Sequence, residues 1–233
     1  MEDFYWWFVG RRRILKRLLG KSPIGHRSLP VLDVGCGSGR LLLDLQRGAF
    51  AVGLDLSGEA LSLARGRGCR WLVRGDAQRL PIKTGSVGLI TALDLLEHLD
   101  DDEGALREMH RALAPGGRLF LTVPALKFLW SEHDEALQHR RRYSMAELRE
   151  KVERAGFEIE RLTYAIFFLF LPTLLFRLVQ RAAGRGKRPR TALIIFPWPI
   201  NAIFTATLYI EAQLLKRLRL PMGVSLICIA RKP

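Results

Sequence analysis

Between Leu29 and Val123 short apolar runs alternate with stretches whose apolar residues fall three and four positions apart. That alternation predicts βαβ units around a parallel sheet. Strands are expected at Val31–Val34, Ala51–Asp55, Arg70–Arg74, Val87–Ala92 and Arg118–Val123, and helices at Arg40–Arg47, Gly58–Gly66 and Asp102–Leu113. Pro115-Gly116-Gly117 supplies a turn before the fifth strand. A further helix is expected from Ser144 to Ala155, because Ser144 and Glu147 have capping-box spacing and Gly156 follows as a stop. Phe157–Tyr164 and Gly223–Arg231 read as two more strands, so residues 165–222 form an insertion between them. Four segments result: an aromatic and basic N-terminal helix (1–28), an α/β core (29–164), an apolar and basic insertion (165–222) and a final core strand (223–233).

The insertion changes the picture. Leu162–Phe176 and Thr191–Ile210 are uncharged runs of 15 and 20 residues, the second nominally long enough to span a bilayer. Arg177–Arg190, between them, carries six Lys/Arg, which a two-span hairpin would place on the outer side, against the positive-inside tendency. Pro172, Pro197 and Pro199 interrupt both runs, so helices broken at the prolines and either lying in the interface or re-entering from one side are expected instead. The formal net charge is +14, and residues 161–233 contribute 12 Lys/Arg against the single Glu211. A basic excess woven through apolar runs favours an anionic membrane surface over nucleic acid as partner. Cys36, Cys69 and Cys228 give neither a disulfide framework nor a metal-type pair, and MEDFYWWFVGRRR lacks the layout of a signal peptide. The expected location is cytoplasmic, on the inner face of a membrane.

Candidate chemistry begins at Val31-Leu32-Asp33-Val34-Gly35-Cys36-Gly37-Ser38-Gly39, a strand that runs into a glycine turn and at once into the helical Arg40-Leu41-Leu42-Leu43. Glycines let such a turn adopt positive φ and let a ligand approach the backbone. A dinucleotide fingerprint would want a third glycine where Arg40 stands, which argues against NAD or FAD. Asp55 closes the second strand, where a carboxylate can take both hydroxyls of a ribose, and Asp76 follows the third, where one can accept from an adenine amino group. Glycine loop, Asp and Asp at three adjacent strand ends make one nucleoside site.

VLDVGCGSG, GLDLS, GDAQRLP, ALDLLEHLDD and PGGRLFLTVPA, in this order, resemble the motifs of class I methyltransferases that use S-adenosylmethionine (SAM), of the ubiquinone and menaquinone biosynthesis type. The resemblance implies a Rossmann-like seven-stranded sheet, mostly parallel, with an antiparallel last strand and helices on both faces. It implies that Gly35, Gly37 and Gly39 surround the methionine part of SAM, Asp55 the ribose, and Asp76 and Ala77 the adenine. Asp33, Cys36, Leu56 and Leu93 are expected in the same cofactor-binding set. Val87-Gly88 departs from the usual aromatic-aspartate pair, so local strand geometry is where a difference is expected. Phe4-Tyr5-Trp6-Trp7-Phe8-Val9-Gly10-Arg11 resembles the start of one bacterial branch, which suggests Trp7 over the cofactor and Arg11 near its carboxylate; a core-packing or membrane-touching aromatic cluster is the alternative.

Methyl transfer from a sulfonium is an in-line displacement that needs alignment and exclusion of water more than a nucleophilic side chain. For a hydroxyl or carbon acceptor a general base helps. His98, His133, His139 and Tyr143 are the candidates, with Asp134 beside them, and Arg141 or Arg142 could hold an anionic group of the acceptor. Asp94-Leu95-Leu96-Glu97-His98 resembles a stretch that quinone O-methyltransferases use for a divalent ion, but no metal is expected here. Placing an apolar insertion at the cofactor side of the sheet points to a lipid-linked or membrane-resident small-molecule acceptor. Two alternatives are a nucleic-acid methyltransferase, which lacks its Asn/Asp-Pro-Pro-aromatic element here, and a SAM-binding, membrane-tethered interaction subunit.

Overall fold

The computed structural model describes residues 3–19, 29–182 and 196–233. Their contacts define two compact units, one within Lys21–Val123, Ala146–Leu162 and Ile227–Pro233, the other within Met1–Gly20, Pro124–Met145 and Thr163–Leu226.

The first unit carries the sheet. Its strands are β1 (Val31–Val34), β2 (Ala51–Asp55), β3 (Leu72–Arg74), β4 (Val87–Leu93), β5 (Leu113–Pro124), β6 (Glu158–Ala165) and β7 (Ser225–Arg231), in the order β3-β2-β1-β4-β5-β7-β6. β1 is buried along its whole length and pairs in parallel with β2 (Val31 opposite Ala51) and with β4 (Val31 opposite Leu89). Such near-continuous apolar strands are what a parallel sheet covered on both faces requires. Lys232 exchanges backbone hydrogen bonds with Gly116 and Gly117 while Ala125 donates to Val224, so β7 runs antiparallel to β5.

Helices α2 (Arg40–Gln46), α3 (Gly58–Gly66), α4 (Asp102–Ala112) and α6 (Met145–Arg154) fall within two residues of the expected bounds at each end. Ser57 caps α3 through Ala60 N–H, and Asp101 caps α4 through Gly104 N–H at 2.7 Å. α4 buries Ala105, Leu106, Met109 and Ala112, the one-sided spacing of an amphipathic helix.

Two expectations need correction here. β5 begins at Leu113, directly after α4, and not at Arg118: Val87 pairs with Leu113 and Leu89 with Arg118, so the Pro-Gly-Gly sequence is a bulge within the strand. Its glycine backbone is held by Lys232, which is why it is not a separate turn. The irregularity lies opposite Gly88, in the stretch whose sequence departs from the family pattern. β3 is shorter than expected because it is the sheet's edge, where Trp71 stays half exposed and packs on Phe50 at 5.5 Å.

The second unit holds α1 (Trp6–Leu19), α5 (Glu132–Ala136), α7 (Phe170–Ala182) and α8 (Trp198–Leu214). The prolines do not break these helices, as expected from sequence, but open them. Pro172 lies in the first turn of α7, Pro197 is the N-cap of α8 and Pro199 follows in its first turn, where no intrahelical N–H is missed. Among the described residues no helix is long and apolar enough to cross a membrane.

α1 and α8 pack together. Asn201 accepts from Trp6 N–H at 2.9 Å and donates to Phe4 O at 2.8 Å, so a side chain of α8 caps α1. Trp6 meets Phe204 edge to face at 5.3 Å. Gly10 faces Leu208 so closely that a Cβ would come within 2.2 Å of Leu208 Cδ1. Glu211 on α8 is fully buried, and its carboxylate accepts the backbone N–H groups of Ile166 and Phe167 ahead of α7.

Candidate active site

In the strand order, β1 and β4 are neighbours at the point where the sheet's winding reverses, and open α/β sheets bind ligands at the carboxyl ends of strands there. The turn after β1 is pinned to β2: Gly35 and Cys36 N–H donate to Leu54 O, and Gly37 N–H donates to Asp55 Oδ2 at 2.8 Å. Asp55 Oδ1 accepts Ser57 N–H at 2.9 Å, so the carboxylate is fixed through both oxygens and each keeps a further lone pair for a ligand hydroxyl.

Two of the glycines are needed for different reasons. A Cβ on Gly39 would lie 2.7 Å from both Ala64 Cβ and Cys69 Sγ, so this glycine lets α3 pack against the turn. A Cβ on Gly37 would meet nothing within 4 Å. With a φ of 53°, Gly37 turns its backbone toward open space beside Asp55, a cradle that a side chain would fill.

Asp76 follows β3, accepts Gln78 N–H at 2.8 Å, and is followed by the buried Ala77. Leu56, next to Asp55, is 64% exposed, an apolar side chain held out at the carboxyl end of β2 that could cover a flat ring. Leu93 ends β4 half-buried, and Asp94 after it has a φ of 48°, held there by Thr122 Oγ1, which donates to Asp94 Oδ1 at 2.8 Å. Glycine cradle, fixed Asp55, Asp76 and exposed Leu56 are a donor and acceptor set that fits the nucleoside and amino-acid parts of SAM.

Asp33 lies beneath this set, inside β1. It accepts from Thr91 Oγ1 at 2.6 Å. Burial pushes its carboxyl up to about 7; the Thr91 hydrogen bond opposes that shift and the charge of Asp55 adds to it. The folded chain therefore holds this proton across the range where an unfolded chain has lost it, and the contribution of Asp33 to stability should fall as pH rises from about 4 to 7 and level off above, while the depressed His133 contributes a slope of the opposite sign over the lower part of that range. The Asp33 slope should reach at most ~1.4 kcal/mol per pH unit. The difference in stability between the native chain and Asp33→Asn should carry this slope, which urea unfolding of both at a series of pH values without cofactor will measure.

The predicted acid-base residues divide between the units. His98 closes a 3₁₀ turn (Leu96–His98) after β4 in the first unit, with Glu97 fully buried beside it. The second unit holds His133, His139 and Tyr143. Asp134 is completely buried and accepts from Arg142 Nε at 2.8 Å and from Ser131 N–H at 3.0 Å, while His139 Nδ1 lies 3.0 Å from its Oδ1. Burial pushes Asp134 up, but His139 and Arg142 outweigh it and hold the carboxyl at about 2. An ionised Asp134 sets the neutral His139 tautomer, with the proton on Nδ1 and the basic lone pair on Nε2.

Arg142 is buried and also donates to Ala125 O at 2.9 Å, so it serves the fold of this segment. Tyr143 is fully buried, and its backbone joins Pro124 and Leu126. His133 is lowered to about 4 by burial first and by the charge of Arg177 next. Arg177, 7% exposed on α7, was visible in sequence only as part of a basic run. Arg11 lies over the Trp7 ring at 5.7 Å, one turn along α1.

Comparison with known proteins agrees with the first unit's geometry. Residues 32–121 match the family model described as a methyltransferase domain. A probable S-adenosylmethionine-dependent methyltransferase of Mycolicibacterium smegmatis is 32% identical over 168 residues, 68% of this chain and 62% of that protein. The chain thus spans about three fifths of that relative's length. A ubiquinone biosynthesis O-methyltransferase of Xanthomonas oryzae pv. oryzae is 37% identical over 100 residues, covering 40% of this chain and 42% of that one. In fold, the crystal structure of an S-adenosylmethionine-dependent methyltransferase from Mesorhizobium loti aligns over 100% of both chains with a TM-score of 0.62 at 19% identity. A glycine cradle and two strand-end aspartates inside the matched segment, on a seven-stranded sheet with its last strand reversed, identify residues 32–121 as a methyltransferase domain of the class I, S-adenosylmethionine-dependent type.

Proposed function

We propose that this chain moves the methyl group of SAM to an oxygen or carbon of a lipid-like small molecule resident in a membrane, working from the cytoplasmic face. Bound SAM supplies an electrophilic methyl on a positively charged sulfur. The chain's own residues do the rest. Gly35, Gly37 and Gly39 receive the amino-acid part, Asp55 the ribose, and Asp76, Ala77, Leu56 and Leu93 the adenine, with Asp33 and Cys36 beneath the turn and Arg11 near the cofactor's carboxylate. His139, oriented by Asp134, takes the acceptor's proton through Nε2; His133, held neutral, shapes the apolar side of the acceptor's place, and His98 is the second candidate base. Tyr143, fully buried, belongs to the fold of this segment and is not assigned the base's part. No metal ion is assigned a part.

The observation that carries the membrane reading is the apolar surface of α7 and α8. Leu171, Leu175, Leu178 and Val179 follow one helical face of α7 at 49–66% exposure, and Trp198, Ile203 and Ile210 stand out on α8 at 55–81%. Contiguous exposed apolar side chains of this size mark a surface that is covered in use. Lys216, Arg217 and Arg219 follow α8, all exposed, which suits anionic headgroups. Segment 165–222 is thus the membrane-associating part and 29–164 with 223–233 the catalytic core. Similarity to the ubiquinone biosynthesis O-methyltransferase favours O-methylation of a quinone-like acceptor within this class.

Labelled SAM incubated with the protein and a total membrane lipid extract should yield a labelled, organic-soluble product. Label appearing only in added RNA or DNA would favour the nucleic-acid reading, and SAM binding without any turnover would favour an interaction subunit.

A further inference from the structure

The pairing of α1 with α8 leaves a feature that methyl transfer does not use. α8 turns Asn201, Phe204 and Leu208 toward α1. The next face of the helix presents Ala202 and Ala206, too small to fill the space beside that contact. The result is an open groove of about 700 Å³, walled by Phe4 and Val9 from the α1 side and by Ala202, Ala206 and Ile210 from α8.

Its two ends differ. The helices run in the same direction, since Phe4 meets Asn201, Gly10 meets Leu208 and Arg13 meets Tyr209. Asp3 therefore lies at one end and Arg13 at the other, with the Arg13 guanidinium over the Tyr209 ring at 5.2 Å. Lys16 and Arg17, both exposed, follow Arg13 by one turn of α1. From Ala202 to Tyr209 the apolar wall runs about 10 Å along the helix. An arginine stacked on a tyrosine at one end, with Ile210, Ala206, Ala202 and Val9 along the walls leading away from it, complements an amphiphile with an anionic head; Thr205 and, at the opposite mouth, the exposed Asp3 are polar groups of the same lining. The arginine-tyrosine pair has the make-up of a membrane-interface anchor.

We infer that this groove holds one acyl chain of an anionic phospholipid, its headgroup phosphate on Arg13 and its chain along Ala206 and Ala202 toward Phe4. The inference rests on the membrane reading above and deepens it: the lipid is a seated ligand of the α1–α8 pair, not only a surface that α7 and α8 touch.

The test uses the full chain on phosphatidylcholine vesicles doped with phosphatidylglycerol that carries a photoreactive diazirine at the chain end, followed by peptide mapping. Crosslinks should fall within Phe4–Arg13 and Ala202–Ile210. Ala206→Trp, at an exposed position, should remove them while cosedimentation with the vesicles persists through α7. Arg13→Gln should reduce the preference for phosphatidylglycerol over phosphatidylcholine about fivefold. Crosslinks confined to Leu171–Val179, equal labelling by both lipids, unchanged groove labelling in Ala206→Trp, or a dimer of this chain that Ala206→Trp splits would each overturn the inference. Absence of any cosedimentation would overturn the membrane reading along with it, and SAM calorimetry on the same sample reports separately on the cofactor site.

Discussion

Gly37→Val should weaken SAM binding by at least about 100-fold, ~2.7 kcal/mol, while the chain stays folded. The free energy divides into two parts. A β-branched residue at a φ of 53° costs roughly 1–2 kcal/mol of backbone strain, which bound and unbound protein share. The loss of affinity comes from the side chain itself, because it projects into the open space beside Asp55 that the cofactor needs, where now nothing stands within 4 Å. Gly39→Val is the control with the opposite signature. Its Cβ would lie 2.7 Å from Ala64 Cβ and Cys69 Sγ, so α3 must shift, and about 1–3 kcal/mol of stability should go with it. Calorimetric titration with SAM and thermal unfolding on both variants separate the two effects. Unchanged SAM affinity in a folded Gly37→Val would remove the cofactor assignment from this turn.

The residues at the strand ends were legible in the sequence because their place depends on chain order. Apolar runs of strand length locate β1, β2 and β4, and whatever follows each of them stands at the carboxyl edge of the sheet, so Gly37, Asp55 and Asp76 could be placed without knowing any long-range contact. Asp33 was legible as a neighbour of that site but not as a proton-holding group, since its state depends on Thr91, 58 residues away, and on burial.

What escaped the reading depends on partners distant in sequence. The Pro-Gly-Gly stretch looked like a free turn because Lys232, which holds it as a bulge, comes more than a hundred residues later. The prolines of the apolar segment looked like breaks because periodicity alone does not show where a helix starts, and a proline in a first turn marks the opposite of one in the middle. The aromatic start could be read as a cofactor cover or as packing. The structure gives Trp6 a partner in Phe204 and gives α1 a cap from Asn201, 195 residues away from Trp6. Glu211 stood out as a lone acid in basic, apolar surroundings, which is a signal of burial with a purpose; its purpose, holding the backbone ahead of α7, needed coordinates.

Asp134→Ala should have the largest effect on stability, about 3–5 kcal/mol against the unit formed by α1, α5, α7 and α8, because it strands a buried guanidinium. Arg142, 5% exposed, would keep Ala125 O as an acceptor and lose its counter-charge. The pH dependence has a fixed sign. Burial raises the Asp134 carboxyl, but His139 and Arg142 hold it at about 2, below its unfolded value, so its contribution is complete above about pH 4 and is lost as pH falls toward 2. The variant should lack that acid-side loss, with its stability already low at neutral pH. Asp134→Ala combined with Arg142→Met removes both charges and should recover most of the stability, since a buried pair is costly mainly when halved. It should not recover the ring of His139, whose Nδ1 loses its partner at 3.0 Å. Nitrogen-15 spectra would then show a mixture of tautomers where the native chain shows one. A double variant that is stable, tautomerically mixed and slow in methyl transfer would tie Asp134 to the orientation of the base; one that is stable and fully active would return the whole cluster to the architecture of the fold.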